Sequence, residues 1–459
     1  MKPITFAELA KMSEGILLQG DPSATITSAH FDTRQLEAGS LFVPIVSNRD
    51  GHDFIMQAIE QGAAAVLVSN QSKLPTELPS QTGVILVNDT LRAFQKLSAA
   101  YRRQFNIPIV AVTGSNGKTS TKDIIAHVLS AKHSVYKTYK NLNNHLGAPY
   151  SLLQLDETHE SAVLEVGMNH PGEIDLLASL VQPKYSVITT IGDAHLEFFG
   201  TREKIALAKA ELLPHTDKDG LVLLNGDNEF LHKIRHLYDG EVWFYSVEGR
   251  ADVWADHFVT DEHGTRFTVH LPDHISFAVT LPLFGKHNVS NSLPAIAIAS
   301  RLGMSPEEIQ AALATVAISA MRFEVSRTDR GTILINDAYN ASPSSMVAAI
   351  DTFAEILPSH QKILVLGDMF ELGENSEELH AEVGDYLNRY RNQFEKVITI
   401  GSLTESMHQA FKGNKFHFTS KEEALSALQP YLTKEYAILF KASRGMKLET
   451  LLESVKERS

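Results

Sequence analysis

Cysteine is absent from all 459 residues, which excludes disulfides, thiolate metal sites and cysteine nucleophiles. That usage suits a reducing compartment. No apolar run approaches the roughly 20 residues that a membrane-spanning helix needs. The opening MKPITFAELAKMSEG reads as a short amphipathic helix without the apolar centre of a signal peptide. Positive charge is in deficit: 41 Lys and Arg against 55 Asp and Glu leave a net charge of −14, the wrong sign for a nucleic-acid scaffold. Internal repeats and low-complexity segments are missing as well. These absences lead us to expect a cytoplasmic protein with no nucleic-acid partner and no membrane span.

What is present has ordinary globular proportions, 43% hydrophobic and 21% charged residues. The chain is too long for one core, and its texture changes twice. Residues 1–106 alternate short strands (LFVPIV, AAAVLVS, GVILV) with helical stretches and end in the basic helix LRAFQKLSAAYRRQF. Pro108 in the following NIP cannot continue that helix. Residues 107–316 carry aliphatic strand-like runs at 109–112, 161–166, 185–190 and 220–224 with helical patterns between them, the signature of a parallel doubly wound sheet. Between Val242 and Leu283 the pattern alternates and turns often, so a small antiparallel β-insert is expected there. Residues 317–459 repeat the β-α rhythm (TILIND, KILVLGD, KVITIG, AILFK) without GxGxxG, which predicts a Rossmann-like sheet that binds no dinucleotide. The fold class is therefore α/β with three domains.

Strand, turn and helix follow one another around AVTGSNGKTSTKD at 111–123, the order a phosphate-binding loop requires. Gly114 and Gly117 permit positive φ and close backbone approach to an anion. The amides of the turn and of the helix behind it form an anion-binding concavity. Lys118 can reach β- and γ-phosphates, and the Thr119 hydroxyl can meet Mg²⁺. The usual GxxxxGK[ST] pattern wants glycine where Val112 stands. The turn by itself does not separate a kinase, a motor, a GTPase or a ligase.

Two side chains fall at strand ends, where ligands gather in open α/β sheets: Glu165 at the end of SAVLE and His195 in IGDAHLEFFG. Together they can support Mg²⁺ or Mn²⁺; singly, each also fits a solvated strand end or a turn cap. Lys209 lies in a helical stripe with Ile205, Ala208, Leu212 and Leu213. An apolar setting disfavours its ammonium, and a neutral amine can add CO₂ to form a carbamate. Snorkelling of its head group into solvent is the commoner fate of such a lysine.

The ensemble TGSNGKTSTK (113–122), NLNNHLG (141–147), LEVGMN (164–169), DAHLEFFG with Lys209, GKHNVSN (285–291), MRFE (321–324) and INDAYNASP (335–343) resembles the ordered motifs of the Mur ligase family. The likeness runs through all three blocks, and TGxNGKT is that family's form of the loop, which accommodates Val112. The resemblance implies ATP-dependent amide formation in peptidoglycan precursor synthesis, with ATP, Mg²⁺ and a carbamylated Lys209. It implies nucleotide contacts from Gly114, Ser115, Asn116, Gly117, Lys118, Thr119 and Ser120, from Asn288 and Asn291 near adenine, and from Arg322, Asp337, Tyr339 and Asn340. A salt bridge at a hinge is another use for Arg322. Thr119, Glu165, His195 and carbamylated Lys209 would be the metal ligands. Lys118, Glu165, His195, Lys209 and Arg322 would form the catalytic set.

Within the family, HFDTRQLEAGSLFVPIVSNRDGHDFI (30–55) resembles a UDP-sugar-binding domain. VLGDMFELGENSEELH (365–380) resembles the branch that adds D-alanyl-D-alanine to a UDP-N-acetylmuramoyl-tripeptide, and the DNPR motif of the diaminopimelate- or lysine-adding branch is absent. The substrate contacts so implied are Ser28, Asp32, Thr33, Arg34, Asp50, Gly51 and His52 for the uridine diphosphate, and Asn143 and Asn144 in the NLNNHLG motif. The dipeptide is expected at Asp368, Met369, Glu371 and Leu372. The family's NANP and KGSR stand here as Asn340-Ala341-Ser342-Pro343 and Lys441-Ala442-Ser443-Arg444. The expected domains are 1–106 for the UDP-sugar peptide, 107–316 for ATP and 317–459 for the dipeptide. The protein is expected to be a monomer.

Overall fold

A computed structural model describes residues 1–458. The chain packs into two compact units, one of residues 1–112, 132–186 and 211–221, the other of residues 113–131, 187–210 and 222–459. This division cuts across the middle block of the sequence, and side-chain packing explains why.

In the first unit the helix Thr90–Arg102, capped by Asp89, seats its buried face on the helices Gly147–Leu152 and Glu173–Val181. The Tyr101 hydroxyl donates to the Leu155 carbonyl at 2.6 Å, and Arg102 Nε donates to Val181 O at 2.9 Å. The N-terminal block is thereby fused to the first strands of the middle block. Its own sheet has the order Ile16–Gln19, Gly83–Leu86, Ala65–Val68, Ser40–Phe42, Ser28–His30; only the first pairing is antiparallel. Beside it in the same unit, Ser161–Glu165 pairs in parallel with Ile109–Val112 and with Val135–Lys137. The register sets Glu165 opposite Val112, the residue from which the chain enters the glycine turn.

In the second unit the helices Lys118–Ser130 and Lys286–Arg301 pack together. The β-rich region differs in detail from a purely antiparallel insert. Val253–Asp261, Gly264–His270 and Ser276–Leu281 form the antiparallel set, but Val253–Asp261 joins Glu241–Ser246 in parallel. Only two residue pairs overlap, Tyr245 with Val253 and Ser246 with Trp254, so a short loop suffices where a full parallel crossover would need a dozen residues.

The six-stranded sheet of this unit runs Glu324–Arg327, Ile333–Asn336, Tyr436–Lys441, Gln361–Gly367, Phe394–Ile400, Lys415–Phe418, with only the first pairing antiparallel. Its strands alternate between two cores: Leu364, Leu366 and Leu439 enter one, Ile363, Val365 and Ile438 the other. Both faces are covered, which is why these strands read as unbroken aliphatic runs.

His287 is half-buried at the start of its helix, its ring 6.2 Å from that of Phe323 and Nδ1 3.4 Å from Thr352 Oγ1. Burial pushes its pKa down to about 4. The unfolded chain, with an imidazole pKa of about 6.5, therefore binds a proton that the folded chain refuses. This contribution to stability is complete above about pH 6.5 and is lost as pH falls toward 4, at roughly 1.4 kcal/mol per pH unit. His287→Gln should flatten the fall in urea midpoint between pH 7 and pH 5. An unchanged pH dependence in that variant would mean that His287 titrates alike in the folded and unfolded chain.

Candidate active site

The glycine turn is built as the sequence requires. Gly114 has φ +147° and Gly117, the N-cap of helix Lys118–Ser130, has φ +82°. A Cβ on Gly114 would meet Thr189 Oγ1 at 1.9 Å, and one on Gly117 would meet Asn291 Oδ1 at 2.5 Å. The turn is also tied to its neighbours, since Ser115 N donates to Thr190 O at 2.7 Å and Thr189 Oγ1 donates to Asn116 O at 2.5 Å. Lys118 folds back so that Nζ donates to the carbonyls of Gly114 (2.7 Å) and Ser115 (3.3 Å). Ser120 is buried in the first turn of the helix.

Residues from the C-terminal block surround this turn within the same unit. Arg322 donates to Thr119 Oγ1 at 3.2 Å while its guanidinium lies 3.9 Å above the Tyr339 ring. Arg322 Nε is buried without a hydrogen-bond partner, a donor still to be satisfied. Asn116 Nδ2 donates to Ser342 Oγ at 3.2 Å and to Ser344 Oγ at 3.1 Å, so the serine that departs from NANP is in contact with the phosphate turn. Asp337 accepts from the Phe323 amide (3.1 Å) and from Lys441 Nζ (2.7 Å), and Lys441 also donates to Asn340 O at 3.1 Å.

Lys209 is 1% exposed, in the last turn of the helix Arg202–Ala210. It does not snorkel, and among the described residues no carboxylate pairs with it. Burial, with the charge of Lys118 adding to it, holds its amine well below the ordinary lysine pKa. His195 stands at φ +66°, with Nδ1 2.7 Å from Glu371 Oε2 but out of line for a hydrogen bond. In the other unit Glu165 accepts from Asn143 Nδ2 at 2.7 Å, and its amide is held by Thr138 Oγ1 at 3.0 Å.

Several residues expected to contact ligands also make contacts within the fold. Both ring nitrogens of buried His52 are engaged, Nδ1 with Asp50 at 2.6 Å and Nε2 with the Ser69 amide at 3.1 Å. Asp368 is 5% exposed, and Oδ1 accepts the Leu403 and Thr404 amides at the start of helix Thr404–Ala410; Met369 and Leu372 are buried in the core. Of the proposed dipeptide pocket, only Glu371 remains half-exposed. Asn291 packs under the turn, where Thr121 Oγ1 donates to it at 3.3 Å, and Asn288 donates to Phe284 O at 2.9 Å. Asn144 Oδ1 accepts the Gly147 amide at 2.9 Å. Ser28 hydrogen-bonds Ser40 at 2.8 Å, and Asp32 holds Arg34 at 2.6 Å, keeping the Asp32 carboxyl below its usual range. The Asp50 pKa is lowered by the His52 amide and ring, and Gly51 lies where a Cβ would strike Ile45 N at 2.5 Å. Thr33 opens a 3₁₀ turn.

Backbone strain marks the site in a way the sequence did not. Met321 and Phe323, on either side of Arg322, have φ +61° and +57°, and Glu371 has φ +62°. Side-chain-bearing residues adopt this region at a cost of about 1–2 kcal/mol each, so they persist only where surrounding contacts over-determine them.

Residues 112–299 match the family model described as the Mur ligase middle domain, and residues 321–444 match the Mur ligase, glutamate ligase domain. A protein of Bacillus subtilis (strain 168) named UDP-N-acetylmuramoyl-tripeptide–D-alanyl-D-alanine ligase is 40% identical over 99% of this chain and 98% of its own. An identically named protein of Escherichia coli (strain K12) is 34% identical over 100% and 99%. The crystal structure of MurF from Acinetobacter baumannii superposes with a TM-score of 0.91 at 30% identity, covering 100% of this chain and 99% of that one. MurF ligase from Thermotoga maritima in complex with ADP gives 0.84 at 29% identity over 94% and 97%.

Gly117→Ala combines a left-handed φ with a clash against Asn291. We expect the Kd for an ATP analogue to rise about tenfold or more, equivalent to at least about 1.4 kcal/mol. Calorimetric titration that finds wild-type affinity would show that this turn does not hold the phosphates.

Proposed function

The chain belongs to the Mur ligase family, and from that premise we propose that it joins D-alanyl-D-alanine to a UDP-N-acetylmuramoyl-tripeptide, converting ATP to ADP and phosphate. The observation that carries the reading is the assembled phosphate turn, with Arg322 on Thr119 and Asn116 on Ser342 and Ser344. A turn gripped by the C-terminal block suits a ligase better than a free-standing nucleotide switch. We assign residues 1–106 to the UDP-sugar peptide, 107–316 to ATP and 317–459 to the incoming dipeptide.

A carboxylate is a poor acyl donor, so its oxygen first attacks the γ-phosphorus. A new C(O)O–P bond forms, the bond to the β-γ bridging oxygen breaks, and ADP leaves. The dipeptide ammonium releases one proton to solvent, and the amine attacks the acyl carbon, shedding a second proton to the departing phosphate. The tetrahedral intermediate collapses as the C–O bond breaks, and inorganic phosphate departs with the electron pair. Most of the protein's work is positioning and charge neutralisation. In this reading the amides of Gly114–Thr119 and the Lys118 ammonium hold the β- and γ-phosphates. Arg322 brings positive charge to the transferring group, and stacking on Tyr339 fixes the guanidinium plane.

The donor set fits a divalent cation. Among the described residues no three His, Asp or Glu side chains gather, so a cation here needs oxygens of other origin. The Thr119 hydroxyl, nucleotide phosphates and a carbamate on the buried, unpaired Lys209 supply hard oxygens, and His195 an imidazole. Glu165 is assigned as a further ligand by its match to the family motif. When bound, Mg²⁺ neutralises charge between phosphate and carboxylate.

Phosphate release should require ATP, the UDP-tripeptide and D-Ala-D-Ala together, and L-Ala, D-Glu, lysine or diaminopimelate should not replace the dipeptide. Steady ATP hydrolysis indifferent to both partners would replace the ligase with a switch. Lys209→Ala should lose about 100-fold or more in kcat, the scale of removing one preorganised electrostatic group, and recover in part with short carboxylates. Full activity in that variant would eliminate the carbamate.

A further inference from the structure

We infer that Glu371 is the positioning residue that sets the His195 ring for its metal, so that a loop of the C-terminal block fixes a ligand of the middle block. The inference rests on the proposed role of His195 as a metal ligand. His195 Nδ1 is fully buried and 2.7 Å from Glu371 Oε2. Nε2 is therefore the ring nitrogen left to ligate. A small rotation of the ring brings Nδ1–H into line with the carboxylate.

The two loops are locked around this contact. Glu197 N donates to Glu371 O at 3.2 Å, and a Cβ on Gly373 would lie 3.3 Å from Glu197 Cα. His195 and Glu371 both hold left-handed backbone, at φ +66° and +62°. That strain is maintained on both sides of a single contact.

A histidine that ligates through one nitrogen commonly donates the other N–H to a carboxylate, which fixes the tautomer and makes the ligating nitrogen more basic. Loss of such a partner costs about 10- to 100-fold in metal affinity or activity. Glu371 thus serves the metal through His195 rather than the dipeptide directly.

The test is Mn²⁺ titration, read by electron paramagnetic resonance, of the full-length protein with a non-hydrolysable ATP analogue. It is paired with ¹⁵N spectra of the histidine rings in the metal-free protein. Glu371→Ala should weaken Mn²⁺ binding about 10- to 100-fold and shift the His195 nitrogens away from the Nδ1–H tautomer. Glu371→Gln, whose amide oxygen still accepts from Nδ1–H, should restore most of both. Metal-free affinity for the analogue should be unchanged in both variants. His195→Ala with wild-type Mn²⁺ binding would overturn the ligand role itself. If His195→Ala weakens binding and Glu371→Ala does not, the positioning role alone falls. Loss of metal-free nucleotide affinity in Glu371→Ala would replace it with a general structural role.

Discussion

Two anions have to be brought within bonding distance for this chemistry to begin, and everything around the glycine turn answers that repulsion. A helix presents unsatisfied amides at its first turn, and the backbone here is bent so that those of Lys118–Ser130 face outward beside a lysine. The bend needs Gly114 and Gly117, because a side chain at either would strike Thr189 or Asn291. The positive field is supplied by fixed dipoles and by cations on packed elements, so it need not be reorganised when charge moves. The net charge of −14 is no obstacle, since the field is local.

Holding such a field costs stability. Lys209 gives up hydration without gaining an ion pair, Arg322 buries an unmet donor, and His195, Met321, Phe323 and Glu371 are kept in left-handed backbone. The compensation is in the sheets that flank them. The six-stranded sheet is packed on both faces, and the helix Lys286–Arg301 has almost its whole length buried. Strained residues therefore sit at loop positions between well-packed elements, where a rigid frame can hold them.

Long elements and the phosphate turn were legible in the sequence, since aliphatic runs of the middle and C-terminal blocks fall on strands almost residue for residue. Short edge strands were not. Val135–Lys137, Glu324–Arg327 and Lys415–Phe418 carry mixed residues because one side of each lies at a sheet margin. Chemistry-bearing residue types were found, but their uses were harder to read. Asp368 and His52 have the polarity of ligand contacts, yet their hydrogen bonds close on the amides of Thr404 and Ser69. A sequence displays which groups can bond but not which buried amides need them, and an unsatisfied amide competes for a carboxylate as effectively as a substrate does.

Lys209 makes the complementary case. Periodicity placed it in an apolar stripe, and the ordinary fate of such a lysine is to extend its head group into solvent. Its place in the last turn of the helix Arg202–Ala210, with the side chain 1% exposed, closes that route. An ammonium confined there with Lys118 nearby is disfavoured twice, by desolvation and by like charge. The proposed conversion to a carbamate would reverse the sign of the second effect, because an anion in the same place attracts Lys118 and any divalent cation. The burial that makes the lysine costly is thus what would make the proposed carbamate useful, and it would tie the stability of this helix to the chemistry of the turn.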